Sequence, residues 1–219
     1  MPRIVDAEQR REHVVDAVLR LVDRGGVSAA SLRNVADEAG LNVGSVRHYF
    51  TSHHELLLAA ATTMADRATA RIERHLADFD ESASDEARLE VLLDVLMELL
   101  PADDARRTEC VIFLAFAEHS RTMASLQSVT RELFRGPREL AHAIFGDSGL
   151  SADDTRLAID ALAATVDGLT LQGVHESDRF PPERMREVLR WQIRTTFAAH
   201  STSGAASGGE DSPGRRKNS

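Results

Sequence analysis

The chain has 219 residues and 24.0 kDa, of which 42% are hydrophobic and 28% charged. That is a globular balance for one ordinary domain, or for a large and a small unit sharing a core. Its longest unbroken apolar run, Cys110 to Ala117, is eight residues, against the about 18 or more that a membrane-spanning helix needs.

No charged-then-apolar leader opens the sequence, which argues against a signal peptide. One cysteine, Cys110, permits neither an intrachain disulfide nor a cysteine-based zinc site. A soluble intracellular protein is expected. The net charge of −9 argues against a nucleic-acid partner. It is unevenly spread, however: through Glu55 the chain holds seven arginines against eight carboxylates, net −1, leaving −8 for the remainder.

Helical spacing recurs along the chain and strand alternation does not. Asp6 with Gln9 reads as an N-cap and its reciprocal partner. The helix they open buries Val14, Val18, Leu21 and Val22 and ends at Gly25-Gly26. Ser31 caps a shorter helix with Leu32, Val35, Ala36 and Ala39 on one face, and Gly40 stops it. A third short helix follows over 43–49. From Ser52 a long helix is predicted to about Phe79, with Leu57, Ala60, Met64, Ala68, Ile72 and Leu76 along one side.

The segment 85–100 is so rich in Leu and Val that it must be buried on more than one side. Residues 103–119 contain the eight-residue apolar run, and their polar, helix-forming flanks favour helix over strand. A helix over 123–145 keeps Met123, Leu126, Val129, Leu133, Leu140 and Ile144 on one face across Gly136-Pro137, and is read as kinked there. Helices over about 152–173 and 182–199 follow, the last opened by Pro181-Pro182. Residues 201–219 have almost nothing apolar to bury and read as a disordered tail.

The two short helices carry the functional signal. Ala36 offers only a methyl at a helix crossing, Gly40 can take the left-handed conformation of a tight turn, and Val46 plugs the angle from the second helix. This Ala-x3-Gly-x5-Val spacing is a helix-turn-helix arrangement. On the polar side of the second helix, Asn42, Gly44, Ser45, Arg47 and His48 face outward. Arg and His there supply donors for phosphate or guanine. Residue by residue, a merely solvated face fits as well.

The contiguous block SLRNVADEAGLNVGSVRHYFTSHHELL, Ser31 to Leu57, resembles the helix-turn-helix and fourth-helix start of the TetR family of transcriptional regulators. The resemblance implies an all-α fold of about nine helices. A DNA-binding head over 1–51 would precede a ligand-binding and dimerisation domain over 52–200. Arg33, Val43, Gly44, Ser45 and His48 fall where that family usually reads bases. Ser31, Arg47, Tyr49 and His53 fall where it usually holds phosphates.

Two residues depart from the family pattern: Arg47 stands where a tyrosine is common, and His53 where a lysine is common. A helix N-terminus already favours phosphate, and a histidine is largely neutral near pH 7, so the resemblance implies a weaker or pH-dependent contact at His53. The stretch DGLTLQG, Asp167 to Gly173, resembles a subgroup whose members sense choline-like or other small organic effectors.

The implied partners are double-stranded DNA, a second copy of the chain and a small-molecule effector; no cofactor or metal is expected. Candidate pocket residues are Leu92, Leu96, Leu99 and Cys110, with Phe113, Phe116, Met123, Leu126 and Phe134. Each also fits an ordinary core position. Candidate dimer residues are Ala158, Ala161, Leu162, Thr165, Leu169 and Gly173 on the penultimate helix. Met185, Val188, Leu189, Ile193 and Phe197 form the second stripe, with Trp191 beside it.

Two competing readings remain at this point. Glu118-His119 and His175-Glu176 are the obvious acid–base pairs of an enzyme, but neither lies in a spaced catalytic motif and neighbours on a helix face different ways. A helical protein-interaction adaptor would explain the acidic charge and leave the polar helix face without a purpose.

Overall fold

The first helix is long because nothing in its sequence interrupts it. In the computed structural model, which describes residues 2–77, 82–146 and 148–206, α1 runs from Pro2 to Gly25. It therefore starts four residues before Asp6, which lies inside the helix rather than capping it. A proline suits a first helical position, where its missing N–H has no partner to lose. Val14, Val15, Ala17, Val18, Leu19 and Val22 are buried, whereas Leu21 is only half-buried. The buried stripe is broad because α1 is packed on several sides.

After a 3-10 turn over Val27–Ala29, α2 spans Leu32–Glu38, α3 spans Val43–Tyr49 and α4 spans His53–Ala77. Phe79, the expected end of the long helix, lies outside the described residues. Next come α5 (Asp85–Met97), α6 (Asp104–Ser120), a 3-10 turn (Ala124–Leu126) and α7 (Gln127–Phe145). α8 spans Ala152–His175 and α9 spans Pro182–Ala206. No strand occurs among the described residues; the apolar run 110–117 is helical.

Several boundaries differ from expectation for local reasons. α5 stops at Met97, and the chain turns through Leu100 ahead of Pro101. The segment 123–145 divides into a 3-10 turn and α7, which carries Pro137 within one helix. The side chain of Val129 lies outside the described residues. α9 continues to Ala206, beyond 199, and 207–219 of the expected tail lie outside the described residues.

Two apolar cores result. The head core joins α1, α2, α3 and the first half of α4 to Ile112 and Phe116 of α6 and to Leu126. The body core joins α5, α7, α8 and α9 around Leu93, Leu96, Leu100, Phe145, Leu162, Met185 and Leu189. α4 passes from one to the other. Its first half is buried (Leu56, Leu57, Ala60, Met64), and its second half emerges until Leu76 is 43% exposed.

α8 is the one helix among the described residues long and apolar enough, by length and composition, to cross a membrane. Half of that stretch is buried inside the protein, as in a core helix.

α9 is fastened to α5 by a ladder the sequence did not advertise. Arg186 binds Asp94 (2.6 Å) and Glu90 (2.8 Å), Arg190 binds Glu90 (2.6 Å), and Arg194 binds Glu86. The arginines lie four apart and so share one helix face.

Candidate nucleic-acid interface and ligand cavity

Local hydrogen bonds position the starts of α2, α3 and α4. The Ser31 hydroxyl accepts the Asn34 backbone N–H (3.2 Å), capping α2. α2 ends in a left-handed Gly40 (φ +64°). The Leu41 N–H returns to the Ala36 carbonyl (2.9 Å) and the Gly40 N–H to that of Asp37 (3.2 Å), the Schellman pattern that a glycine makes possible. Val35, Ala36 and Val46 are fully buried at the crossing.

Asn42 caps α3: its Oδ1 accepts the Ser45 backbone N–H (2.8 Å) and hydroxyl (3.2 Å). A Cβ on Gly44 would meet that oxygen at 3.1 Å, so the glycine leaves room for the cap. At α4 the Ser52 hydroxyl accepts the Glu55 N–H (3.1 Å), and the Glu55 carboxylate accepts the Thr51 hydroxyl and N–H (both 2.8 Å). Those bonds hold the Glu55 carboxyl below the usual range.

The candidate DNA-reading side chains are all at least half-exposed. Ser31, Arg33, Asn42, Gly44, Arg47 and His48 are exposed, and Val43, Ser45, Tyr49 and His53 are half-exposed. Arg20 (2.8 Å) and Arg24 (2.5 Å) are committed to Glu38, and Arg11 lies over the Phe50 ring at 5.2 Å. Arg33 and Arg47 make no ion pair among the described residues, so their guanidinium groups stay available. Tyr49 meets His48 edge-on at 5.3 Å. The Nε2 of His53, beside the start of α4, is buried without a partner.

Behind the head, α4, α6, α7 and α8 surround a cavity of about 410 Å³, within the range of small-molecule sites. Met64, Ala68, Ile72, Leu133, Leu140 and Val166 contribute apolar wall, and Gly136-Pro137 opens the α7 side. Of the candidate pocket residues, Leu99, Cys110 and Phe113 line it. Phe134 backs it through an edge-on contact with Phe113 (5.1 Å). The other five do not line it. Phe116 and Leu126 are fully buried in the head core and Met123 packs against it; Leu96 is fully buried in the body core and Leu92 is half-buried.

The reason is register. On α6 Cys110 faces the cavity and Ile112 and Phe116, two and six positions on, face the other side, while Phe113 lies between and touches both cavity and head core. Burial pushes the Cys110 thiol up to about 12, with Glu109 adding to it. The thiol therefore stays protonated at neutral pH, which removes the reactivity a redox sensor needs.

One wall of the cavity is ionic. Glu98, at 9% exposure, receives Arg71 (2.7 Å), His75 (3.0 Å) and Arg106 (3.2 Å), and Arg71 also forks onto Glu109 (3.0 and 2.6 Å). Burial works against the Glu98 carboxylate, yet the bonds from His75 and Arg71 and the charge of Arg106 win, holding its carboxyl below the usual range. This cluster ties the far half of α4 to α5 and α6 where the two apolar cores do not meet. Sequence inspection missed it because its members lie 8–38 positions apart.

The expected dimer stripe mostly packs within the chain. Ala158, Leu162, Leu169, Gly173, Met185, Leu189 and Ile193 are buried, and Val188 and Thr165 are half-buried. A Cβ on Gly173 would meet Pro101 at 2.6 Å and Met185 at 3.0 Å; the close approach that glycine permits is therefore intramolecular. Phe197 is 37% exposed and lies 5.5 Å from Phe145.

A second stripe on α8 faces outward: Leu157 (67% exposed), Ala161, Ala164, Gly168 and Leu171 (49%), flanked by Trp191 of α9 (69%). Of the sequence-predicted dimer residues Ala161 belongs to this outward stripe, and Trp191 flanks it.

Comparison with known proteins places both halves. Residues 14–60 match the family described as bacterial regulatory proteins, tetR family, and residues 88–198 match the BetI-type transcriptional repressor C-terminal family. The chain is 30% identical over 198 residues to the HTH-type transcriptional regulator PksA of Bacillus subtilis, covering 89% of this chain and 93% of that one. It is 34% identical over 180 residues to the HTH-type transcriptional regulator BetI of Burkholderia thailandensis, covering 79% and 86%. A crystal structure of a transcriptional regulator from Rhodococcus superimposes with a TM-score of 0.73 at 28% identity, covering 86% of this chain and 96% of that one. Head geometry, helical body and both family matches agree: the chain belongs to the TetR family of DNA-binding transcriptional regulators.

Proposed function

We propose that the protein is a homodimeric repressor that occupies a pseudo-palindromic operator through α2 and α3 and is released by a small molecule entering the α4–α6–α7–α8 cavity. It works in the cytoplasm, where its DNA is. The observation that carries the DNA reading is the outer surface of the head. The caps of α2, α3 and α4 are satisfied by neighbouring side chains, and Arg33 and Arg47 remain exposed without an ion pair among the described residues, with His48 exposed beside them. In this reading Ser31, Arg47, Tyr49 and His53 hold phosphates, and Arg33, Val43, Gly44, Ser45 and His48 meet base edges. Asn42 serves chiefly by aiming α3.

The outward α8 stripe supports the dimer. Two copies meeting there would cover Leu157, Leu171 and Trp191, and Gly168 would let the helices approach. Half-sites about 34–36 Å apart would then face the two recognition helices. A ligand in the cavity touches Met64 and Phe113, which stand on the two helices that plug the head. By its differential affinity it would bias the head spacing; a tenfold loss of DNA affinity needs about 1.4 kcal/mol.

Gel shift with duplexes selected by the protein from a random pool tests this. Binding is expected as a dimer and to fall steeply with salt. Arg47→Ala should weaken it and reduce the salt slope by about 1. Gly168→Trp, at a half-exposed position where nothing lies within 4 Å of a Cβ, is expected to abolish dimer and operator binding together while the helical circular dichroism is kept. A dimeric Gly168→Trp variant would remove this interface from the reading.

A further inference from the structure

We propose that Arg107 is a positioning residue for operator binding: its guanidinium fastens α6 to the end of α8 and thereby sets the spacing of the two DNA-reading heads. The inference rests on the proposed dimer through the outward face of α8, and it assigns the residue that fixes each head to that dimer.

Arg107 forks onto backbone rather than onto a carboxylate. Its two terminal nitrogens donate to the carbonyls of Gly173 (2.9 Å) and Val174 (2.5 Å), and it makes no ion pair among the described residues. Both carbonyls belong to the last turn of α8, where the helix itself offers them no N–H. Aligned peptide dipoles leave that end partly negative, so one cation supplies the missing donors and the balancing charge together. A planar guanidinium reaches two adjacent carbonyls at once, as the compact ammonium of a lysine does not. Gly173 and Val174 are buried and Arg107 is half-buried, which shields the bonds from water.

The fork sits where it controls the head. α6 has 17 residues and is about 25 Å long. Its C-terminal half is seated in the head core through Ile112 and Phe116, and its His119 Nε2 meets the Ser28 hydroxyl of the first 3-10 turn (3.4 Å). Its middle faces α8 across the cavity, with Cys110 and Phe113 on one side and Val166 and Thr170 on the other. There the Cys110 thiol (3.6 Å) and the Thr170 hydroxyl (3.4 Å) share the Leu99 carbonyl, through long neutral bonds weaker than the charged fork. The angle of α6 on α8, and with it the place of the head, is therefore set at Arg107. This residue lies outside the head and does not line the cavity, so its effect on DNA runs through α6.

Fluorescence anisotropy with three duplexes tests this on the full-length protein: the operator it selects from a random pool, that operator with one base pair added between the half-sites, and one with a single half-site scrambled. The insertion moves one half-site by about 3.4 Å and turns it by about 35°, so the wild-type protein should bind it far more weakly than the selected operator. Arg107→Gln should remain a helical dimer by circular dichroism and sedimentation. It should lose about tenfold on the selected operator, because its heads hold the fitting spacing only part of the time, and should discriminate against the insertion by about threefold or less. Its affinity for the single half-site and its salt slope should match the wild-type protein, since no phosphate contact is removed. Arg107→Lys, which keeps the charge without the fork, should fall between the two. Full discrimination against the insertion in dimeric Arg107→Gln would overturn the proposal. So would an equal loss on one half-site and on two, which would mark damage to the head, or loss of the dimer in both variants, which would assign Arg107 to the dimer contact instead. In each case a wild-type protein that bound its selected operator as a dimer would leave the regulator reading standing; a wild-type protein indifferent to the insertion would remove the paired heads and this inference with them.

Discussion

The head core and the body core are made of similar residues but are determined in different ways. In the head, each short helix is set by an interaction within a few residues of its own end. Ser31, Asn42 and Ser52 cap α2, α3 and α4, and Gly40 turns the chain between the first two. In the body, α8 carries apolar residues on two opposite faces, one buried against Pro101 and Met185 and one exposed around Leu157 and Gly168. Local chemistry does not rank those faces; neighbouring helices do. The seam between the cores is filled by a cavity and an ion cluster, so the two halves are joined by α4 and α6 and by groups that a ligand or a proton can disturb.

The largest break in this arrangement is expected at Phe116, which is fully buried on the α6 face that plugs the head. Phe116→Ala should cost about 3–5 kcal/mol, read as a drop in Tm of roughly 10 °C. Operator affinity should fall as the head loosens from the body. A melt within a degree or two of the unaltered protein would mean that α6 does not anchor the head.

A smaller effect is expected at the seam. Glu98 has its carboxyl held down in the folded protein, so the stability it contributes is present above its unfolded pKa of about 4.3 and is lost as pH falls through the lower folded value. Glu98→Gln should therefore lower stability near pH 7 by about 2 kcal/mol and have progressively less effect below about pH 4. Thermal melts at the two pH values check the sign. A deficit that persisted unchanged in acid would show that Glu98 acts by packing rather than by charge.

The smallest break is at Gly40, whose φ of +64° strains any side chain. Gly40→Ala is expected to cost about 1–2 kcal/mol. No atom lies within 4 Å of the added Cβ, so that cost should come from backbone alone. Gly40→Asn, which tolerates the left-handed region better, should recover part of it in the same melts.

These contrasts mirror what was legible. The turn at Gly40, the Ser31 cap and the outward placement of Arg47 and His48 follow from residues less than ten positions apart, and each stands as the spacing indicates. The pocket candidates were chosen as apolar residues of the middle helices, and apolarity does not say which side of α6 a residue occupies. Cys110 and Ile112, two positions apart on α6, are turned about 160° from one another and go to the cavity and to the head core, and Phe113 between them touches both. The Arg71–Glu98–Glu109 cluster is not legible in the sequence because a charged residue there reads as surface until its neighbours are known.

The amino-acid sequence by itself determined an all-helical chain with a helix-turn-helix near its start, because caps, turns and 3.6-residue periodicity act over a few residues. Only the tertiary structure decided which apolar stripe of α8 turns inward, where the two cores part and which charged side chains pair at the gap. Those outcomes depend on side chains brought together from distant parts of the chain, and burial, pairing and cavity shape exist only once that assembly has formed.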